Sequence, residues 1–271
     1  MALFPPLPSH LTAEVLRFLD LPRPRHDQQW LDLFAHHYGQ RVPWESASRI
    51  ARVATSPRAE CPRLPHAFWR AALREGTGGT CFETNAAVAA LLASLGFDGD
   101  LTVNDMEAQR ACHTALVLHV HDERVLVDVG YPLHAAVPLA METTTATSPW
   151  FTYVAHPAGQ RRYRIENHPH PRPYVYDLLD IPVAPEAYLD ALTTDYAPGG
   201  LFLDRVVIRK IVDGHVWRFA GHERPWHLQR FVGGRRLDSP LPDTPDAAAA
   251  HLARHFCIPA TTIAVALREA E

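Results

Sequence analysis

Up to about residue 95 the apolar positions recur at helical spacing between proline-rich breaks. Ser9 is placed to cap a helix carrying Leu11, Val15, Leu16 and Leu19, and Asp27 to cap a second with Trp30, Leu31, Phe34 and Tyr38, because a short polar side chain there accepts a hydrogen bond from the unpaired N–H groups of the first turn. A third helix starts near Pro65, carries Phe68, Trp69, Ala72 and Leu73, and stops at Gly76, a residue able to take the left-handed conformation of a helix end. Gly78 and Gly79 interrupt the chain, and a fourth helix runs from about Cys81 to Leu95 before Gly96.

From about Asp100 the pattern becomes that of strands. His113 to His121 and Arg124 to Val129 are rich in Val and Leu and read as a hairpin turning at Asp122-Glu123. Short strand-forming stretches follow at Trp150 to Val154, Arg161 to Ile165 and Tyr174 to Tyr176, enough for a small barrel or sheet. Val206 to Val212 and His215 to Phe219, joined by Asp213-Gly214, give the clearest hairpin signal, since Asp-Gly tolerates the positive φ values of a type I′ turn. A strand near Trp226 to Phe231 and an alanine-rich helix from about Thr244 to Phe256 close the pattern. Helices, then strands, then a mixed end predict an α+β protein with segregated layers.

Composition narrows the function. The 271 residues are 47% hydrophobic and 21% charged, an ordinary folded composition. A net charge of -4, with Lys210 the only lysine among 26 basic residues, lacks the basic excess of a nucleic-acid binder. The longest mostly apolar run, Ala86 to Phe97, falls far short of the ~20 residues that span a bilayer. The opening MALFPPLPSH has neither the basic nor the apolar region of a leader, so the expectation is a soluble, cytoplasmic protein with no membrane or nucleic-acid partner. Cys61, Cys81, Cys112 and Cys257 lack CxxC spacing and are expected as free thiols. His113, His119 and His121 share strand parity and His168 neighbours His170, but no thiolate or carboxylate completes a ligand set at convincing spacing, so no metal is expected.

Cys81 carries the chemistry. A thiol in the first turn of a helix, behind two glycines, meets the positive end of the helix dipole and free N–H groups that stabilise thiolate and could cradle an oxyanion. A nucleophilic thiol needs a base, and the base needs an orienting group. His113 and Asp128, near the open ends of the paired strands, can supply both, and a carboxylate flanked by Val127 and Val129 needs a partner.

These motifs resemble the arylamine N-acetyltransferases. GGTCFETN, Gly78 to Asn85, looks like the family's cysteine motif; HTALVLHV from His113 and DVGY from Asp128 to Tyr131 look like its histidine and aspartate strands. VPWES, Val42 to Ser46, is similar to its PFEN segment, and HFCIP, His255 to Pro259, to its closing helix exit. The resemblance implies an N-terminal helical bundle over 1–94 bearing the catalytic Cys, a central β-barrel over 95–200 bearing His and Asp, and a C-terminal α/β lid over 201–271. It implies that Cys81 takes an acyl group from acetyl-CoA, or another acyl thioester, and passes it to an amine, arylamine or hydrazine, with His113 as base and acid and Asp128 as its orienter. Trp44, Gly130 and Tyr131 fall at substrate-pocket positions.

The chain departs from the pattern around that pocket. Thr77 stands where the family has an arginine that pairs with the upstream glutamate, here Glu45, leaving Arg41, Arg70 or Arg74 as substitutes. Ser46 replaces an asparagine, Trp44 a phenylalanine, and Tyr131-Pro132 a Phe-Gly pair. A carrier-protein thioester or a larger CoA ester is the donor in the alternative reading, an amide synthase of natural-product assembly. A thiol hydrolase and a retired binding protein are further alternatives, separable by acceptor and by thiol reactivity.

Overall fold

The computed structural model describes residues 3–107, 109–170 and 173–270, so the first two residues of the opening segment lie outside it. Five helices come first: α1 (Ser9–Phe18), α2 (Gln28–Arg41), α3 (Ala47–Thr55), α4 (Pro65–Glu75) and α5 (Cys81–Ser94), with a short strand β1 (Trp44–Glu45) ahead of α3. Then come β2 (Asp98–Met106), β3 (Gln109–Val120), β4 (Glu123–Val127), β5 (Val137–Leu139), β6 (Thr144–Thr147), β7 (Thr152–Pro157), β8 (Arg162–His168) and β9 (Tyr174–Leu179). The chain ends in α6 (Pro185–Thr194), β10 (Val207–Val212), β11 (His215–Ala220), β12 (His227–Val232), β13 (Arg235–Pro240), α7 (Pro245–Phe256) and α8 (Ala260–Glu269).

Local chemistry explains the helix boundaries. Asp27 caps α2 as expected, accepting from the Trp30 N–H at 2.7 Å, and Gly76 ends α4 at φ 67°. Ser9 does not act as a cap: α1 starts at Ser9 itself, Pro8 holds the cap position, and no side chain bonds the first turn. Proline's fixed φ and missing N–H suit a helix entrance without such a bond.

Strands β2 to β9 form an antiparallel sheet in the order β5-β4-β3-β2-β9-β8-β7-β6, whose two edges approach each other to give a nearly closed barrel. Alternation along β3 divides its side chains between two cores. Leu116 and Leu118 face the helices and pack with Trp30, Phe34, Trp69, Phe82 and Leu91, while Ala115 and Val117 face the barrel interior with Tyr153, Ile165 and Tyr176. His113 shares the parity of Ala115, so the barrel side receives it. Val120 pairs with Glu123, and the β3–β4 turn is therefore His121-Asp122, one residue earlier than expected. His121 supplies the positive φ, 54°.

The second sheet runs β1-β10-β11-β12-β13. Its hairpin turns at Asp213-Gly214 with φ 48° and 71°, both positive as a type I′ turn requires. One face is covered by α3, α7 and α8 through Ala47, Ile50, Leu252 and Ile263 against Ile208 and Phe219. The opposite face turns Ile211 and Val216 toward the barrel. By packing, β1 and α3 thus join the C-terminal layer, and β1 stitches that layer to the start of α5 through the Trp44–Gly79 bridge.

Candidate active site

Cys81 is the first residue of α5 and is 8% exposed. The two glycines before it are there because of close approach. A Cβ on Gly78 would drive into the Pro43 carbonyl, and one on Gly79 would lie 2.9 Å from a Glu83 carboxylate oxygen. Glu45 donates its N–H to the Gly79 carbonyl at 3.1 Å, which fixes the approach to the helix. Thr80 makes no side-chain cap, so the first-turn amides of α5 keep the donor capacity and partial positive charge of a helix start beside the thiol. Cys81 Sγ lies 3.8 Å from the Cys112 carbonyl oxygen.

The structure brings His113 and Asp128 to this thiol. His113 Nε2 meets Asp128 Oδ2 at 2.7 Å, with both side chains buried. Asp128 follows β4 by one residue, and the register that pairs Leu116 with Val127 would set it opposite Ala115, so His113 reaches it diagonally on the same face rather than from directly across. The Cys81 thiol lies beside the His113 strand, against the carbonyl of the preceding Cys112; with Nε2 turned to Asp128, the ring nitrogen left for the thiol is Nδ1. Burial disfavours the imidazolium, but the Asp128 charge and hydrogen bond, helped by Cys81, outweigh it and push the His113 pKa up to about 10. Burial likewise works against the Asp128 carboxylate, and His113, Asn85 and the Tyr131 N–H overcome it, holding its pKa below the ordinary value.

Asn85, one helical turn after Cys81, is a residue whose role the sequence did not disclose. Its Nδ2 donates to Asp128 Oδ1 at 3.0 Å and to the Thr114 carbonyl at 2.6 Å, and its Oδ1 accepts from the Val129 N–H at 3.2 Å. The Gly130 and Tyr131 N–H groups bond the same Asp128 oxygen at 2.8 and 3.0 Å. Tyr176, whose ring centroid is 4.5 Å from that of His113, walls the pair off from the barrel. The signal for Asn85 was its spacing of four from Cys81, which puts both on one helix face. Gly130 packs against the nucleophile position: a Cβ there would lie 2.7 Å from Cys81 Cα and Cβ and 2.5 Å from Asn85 Nδ2. Gly130→Ala is expected to slow Cys81 alkylation by iodoacetamide at least about tenfold, because an over-packed contact of this kind costs ~1–3 kcal/mol; an unchanged alkylation rate would show that the loop moves aside freely.

Beneath the thiol lies a buried ionic network. Glu83 accepts from Arg63 Nη2 at 2.6 Å, from Arg52 Nη2 at 2.9 Å and from the Tyr196 hydroxyl at 2.5 Å. Arg63 also donates to Thr77 Oγ1 at 3.2 Å and to the Gly78 carbonyl. Arg49, wholly buried, bonds Thr80 Oγ1 at 2.7 Å and Asp195 at 2.7 Å. None of Arg41, Arg70 and Arg74 pairs with Glu45, contrary to the expectation from Thr77. Glu45 is instead satisfied by the Ser48 N–H at 2.7 Å, the Ser48 hydroxyl at 2.5 Å and the Gly78 N–H at 3.1 Å. Arg63 comes to Thr77 from across the fold, a relation with no local sequence signal.

Trp44 stands on β1 with its ring 5.0 Å from Phe202 and its Nε1 buried without a partner. Tyr131 packs against the barrel core. A cavity of about 320 Å³ bounded by Phe4, Ala89, Ala93, Leu101 and Val183 lies at the opposite end of α5 from Cys81 and is separate from this site. The four cysteines are free. Among the described residues no group of three His, Cys, Asp or Glu could hold a metal ion; His119 is engaged with Asp98 at 3.3 Å. Among the described residues no helix is long and apolar enough to cross a membrane.

A family model described as N-acetyltransferase matches residues 29–172, which includes Cys81, His113 and Asp128. The chain belongs to that family. This N-acetyltransferase is an acyltransferase enzyme, and solved arylamine N-acetyltransferases share its α+β fold. That of Mycobacterium abscessus is 21% identical with a TM-score of 0.76, over 98% of this chain and 99% of the other. That of Mycobacterium marinum, in complex with CoA, is 16% identical with a TM-score of 0.78, over 94% and 98%. The Bacillus cereus enzyme, described as having a unique Cys-His-Glu catalytic triad, is 18% identical with a TM-score of 0.70, over 87% and 94%. No curated protein matches the chain.

Proposed function

We propose that this N-acetyltransferase carries an acetyl group from acetyl-CoA to an arylamine, hydrazine or other amine as a thioester on Cys81. The observation that carries the reading is His113 held at 2.7 Å by Asp128 on the strand against which the Cys81 thiol lies. His113 holds the proton of the Cys81 thiol as imidazolium, consistent with its raised pKa, and the thiolate attacks the thioester carbonyl of the donor. First-turn amides of α5 offer donors to the oxygen that gains charge. The intermediate collapses as the C–S bond to CoA breaks, and the CoA thiolate takes the proton from the His113 imidazolium. The amine then attacks acyl-Cys81, His113 accepts its proton, and the Cys81 sulfur leaves. Asp128 keeps Nδ1 facing sulfur throughout and stabilises the imidazolium.

CoA is favoured as the donor carrier by the CoA-bound Mycobacterium marinum structure, and arylamines as acceptors by the names of the enzymes sharing the fold. Two chemical steps on one sulfur predict ping-pong kinetics. Double-reciprocal plots at several acceptor concentrations are expected to be parallel. Converging lines would mean that donor and amine meet on the enzyme together and would remove the acyl-Cys81 step.

A further inference from the structure

Arg209 is a half-buried residue with no hydrogen bond or carboxylate partner among the described residues, and its guanidinium lies 5.5 Å from the Phe151 ring. It stands directly across from Trp44 on β1 and from Arg218 on β11. Those three side chains share the face that Ile211 and Val216 turn toward the barrel. Arg218 is occupied, donating to Glu223 and Gln229 at 3.0 Å each. Arg209 therefore carries a free positive charge beside a like charge, an arrangement that destabilises paired strands unless something else uses it.

Its surroundings are those of the reaction site. Trp44 bridges Gly79, two residues before Cys81. The Arg209 charge acts on Tyr131, which follows the Gly130 packed on Cys81, and on the buried His134 and Tyr153. Nearby, Trp44 Nε1–H is a buried donor without an acceptor. A planar fork of N–H donors between aromatic walls matches a carboxylate borne on a flat or short substrate.

We infer that Arg209 is a carboxylate-binding residue beside the Cys81 site, so that the enzyme selects a reacting partner bearing a carboxylate, carried either on the amine or on the far end of the acyl group. The inference rests on the acyl-transfer reading for its meaning. Its test reads binding alone, on the Cys81→Ala protein, so failure to form an acyl-enzyme would refute that reading and leave this test standing.

Two matched pairs of probes separate the sources by calorimetric titration: 3-aminobenzoate against 3-toluidine for the amine, and succinyl-CoA against butyryl-CoA for the acyl group. In one pair the carboxylate member is expected to bind at least about tenfold tighter, the scale of a charge-assisted bidentate contact. Adding Arg209→Met should bring that ratio close to one, while Arg209→Lys, keeping the charge without the fork, should leave an intermediate ratio. Should the methionine variant melt early, Arg209→Gln reads the same ratio. A ratio near one in both pairs before substitution overturns the inference. So does a ratio that survives loss of the guanidinium, including the case in which both CoA esters weaken alike because Arg209 holds the CoA phosphates.

Discussion

Asp128→Asn is expected to leave the fold in place and to slow acylation of Cys81 roughly 10⁴-fold, the scale on which a triad loses rate when its histidine takes the wrong tautomer. The carboxylate oxygen 2.7 Å from His113 Nε2 accepts a hydrogen bond, whereas an amide nitrogen in that place would donate one and turn the ring proton away. Asn85 Nδ2, Gly130 N–H and Tyr131 N–H all point at the other oxygen, and the asparagine carbonyl can still accept from them, so the loop retains its anchors. Stability should carry a second signature. Since His113 is raised from 6.5 to about 10 in the folded protein, its contribution is fully present below pH 6.5 and is lost as pH rises through about 10. Melting temperatures measured across that window should fall in the wild type and stay flatter in Asp128→Asn. Full acylation by the variant would show that Asp128 does not orient His113.

Glu83→Gln should have the largest effect on stability, about 3–5 kcal/mol, because it leaves the Arg63 and Arg52 guanidinium groups without their shared counter-charge in a buried network. Burial alone would raise the Glu83 pKa, but Arg63 and Arg52 dominate and lower it from 4.5 to about 2. That stabilisation is therefore complete above pH 4.5 and lost as pH falls through about 2. Urea midpoints at neutral pH measure the first effect, and acid titration of both proteins the second. A midpoint shift worth under about 1 kcal/mol would place the network on the scale of a surface ion pair.

The helices that carry their own boundary chemistry were legible in the chain: Asp27 caps α2, Gly76 ends α4 and Cys81 opens α5. So was the Asp213-Gly214 hairpin, whose positive φ pair is a local property. The short strands β1, β5 and β6 were not, because two to four residues carry no measurable period and exist only by pairing with β10, β4 and β7. α3 was hidden for a related reason: its apolar face is completed by α8 and the C-terminal sheet, far along the sequence.

Within the site, the nearness of His113 and Asp128 followed from strand pairing, although the exact register did not. Arg63, Arg52, Tyr196 and Arg49 were invisible, since each reaches the start of α5 through tertiary packing over 20 or more residues. The substitution of Thr77 is explained only in three dimensions, where Arg63 bonds its hydroxyl and neutralises Glu83.

The claim on which the account stands is that Cys81 itself carries the acyl group. Intact mass after brief incubation with acetyl-CoA and no amine tests it most directly. The expected result is a gain of one acetyl group, localised to the Cys81 peptide, absent from Cys81→Ala and discharged when an arylamine or hydrazine is added. No gain on Cys81, in an enzyme that nonetheless transfers acetyl groups to amines, would contradict it.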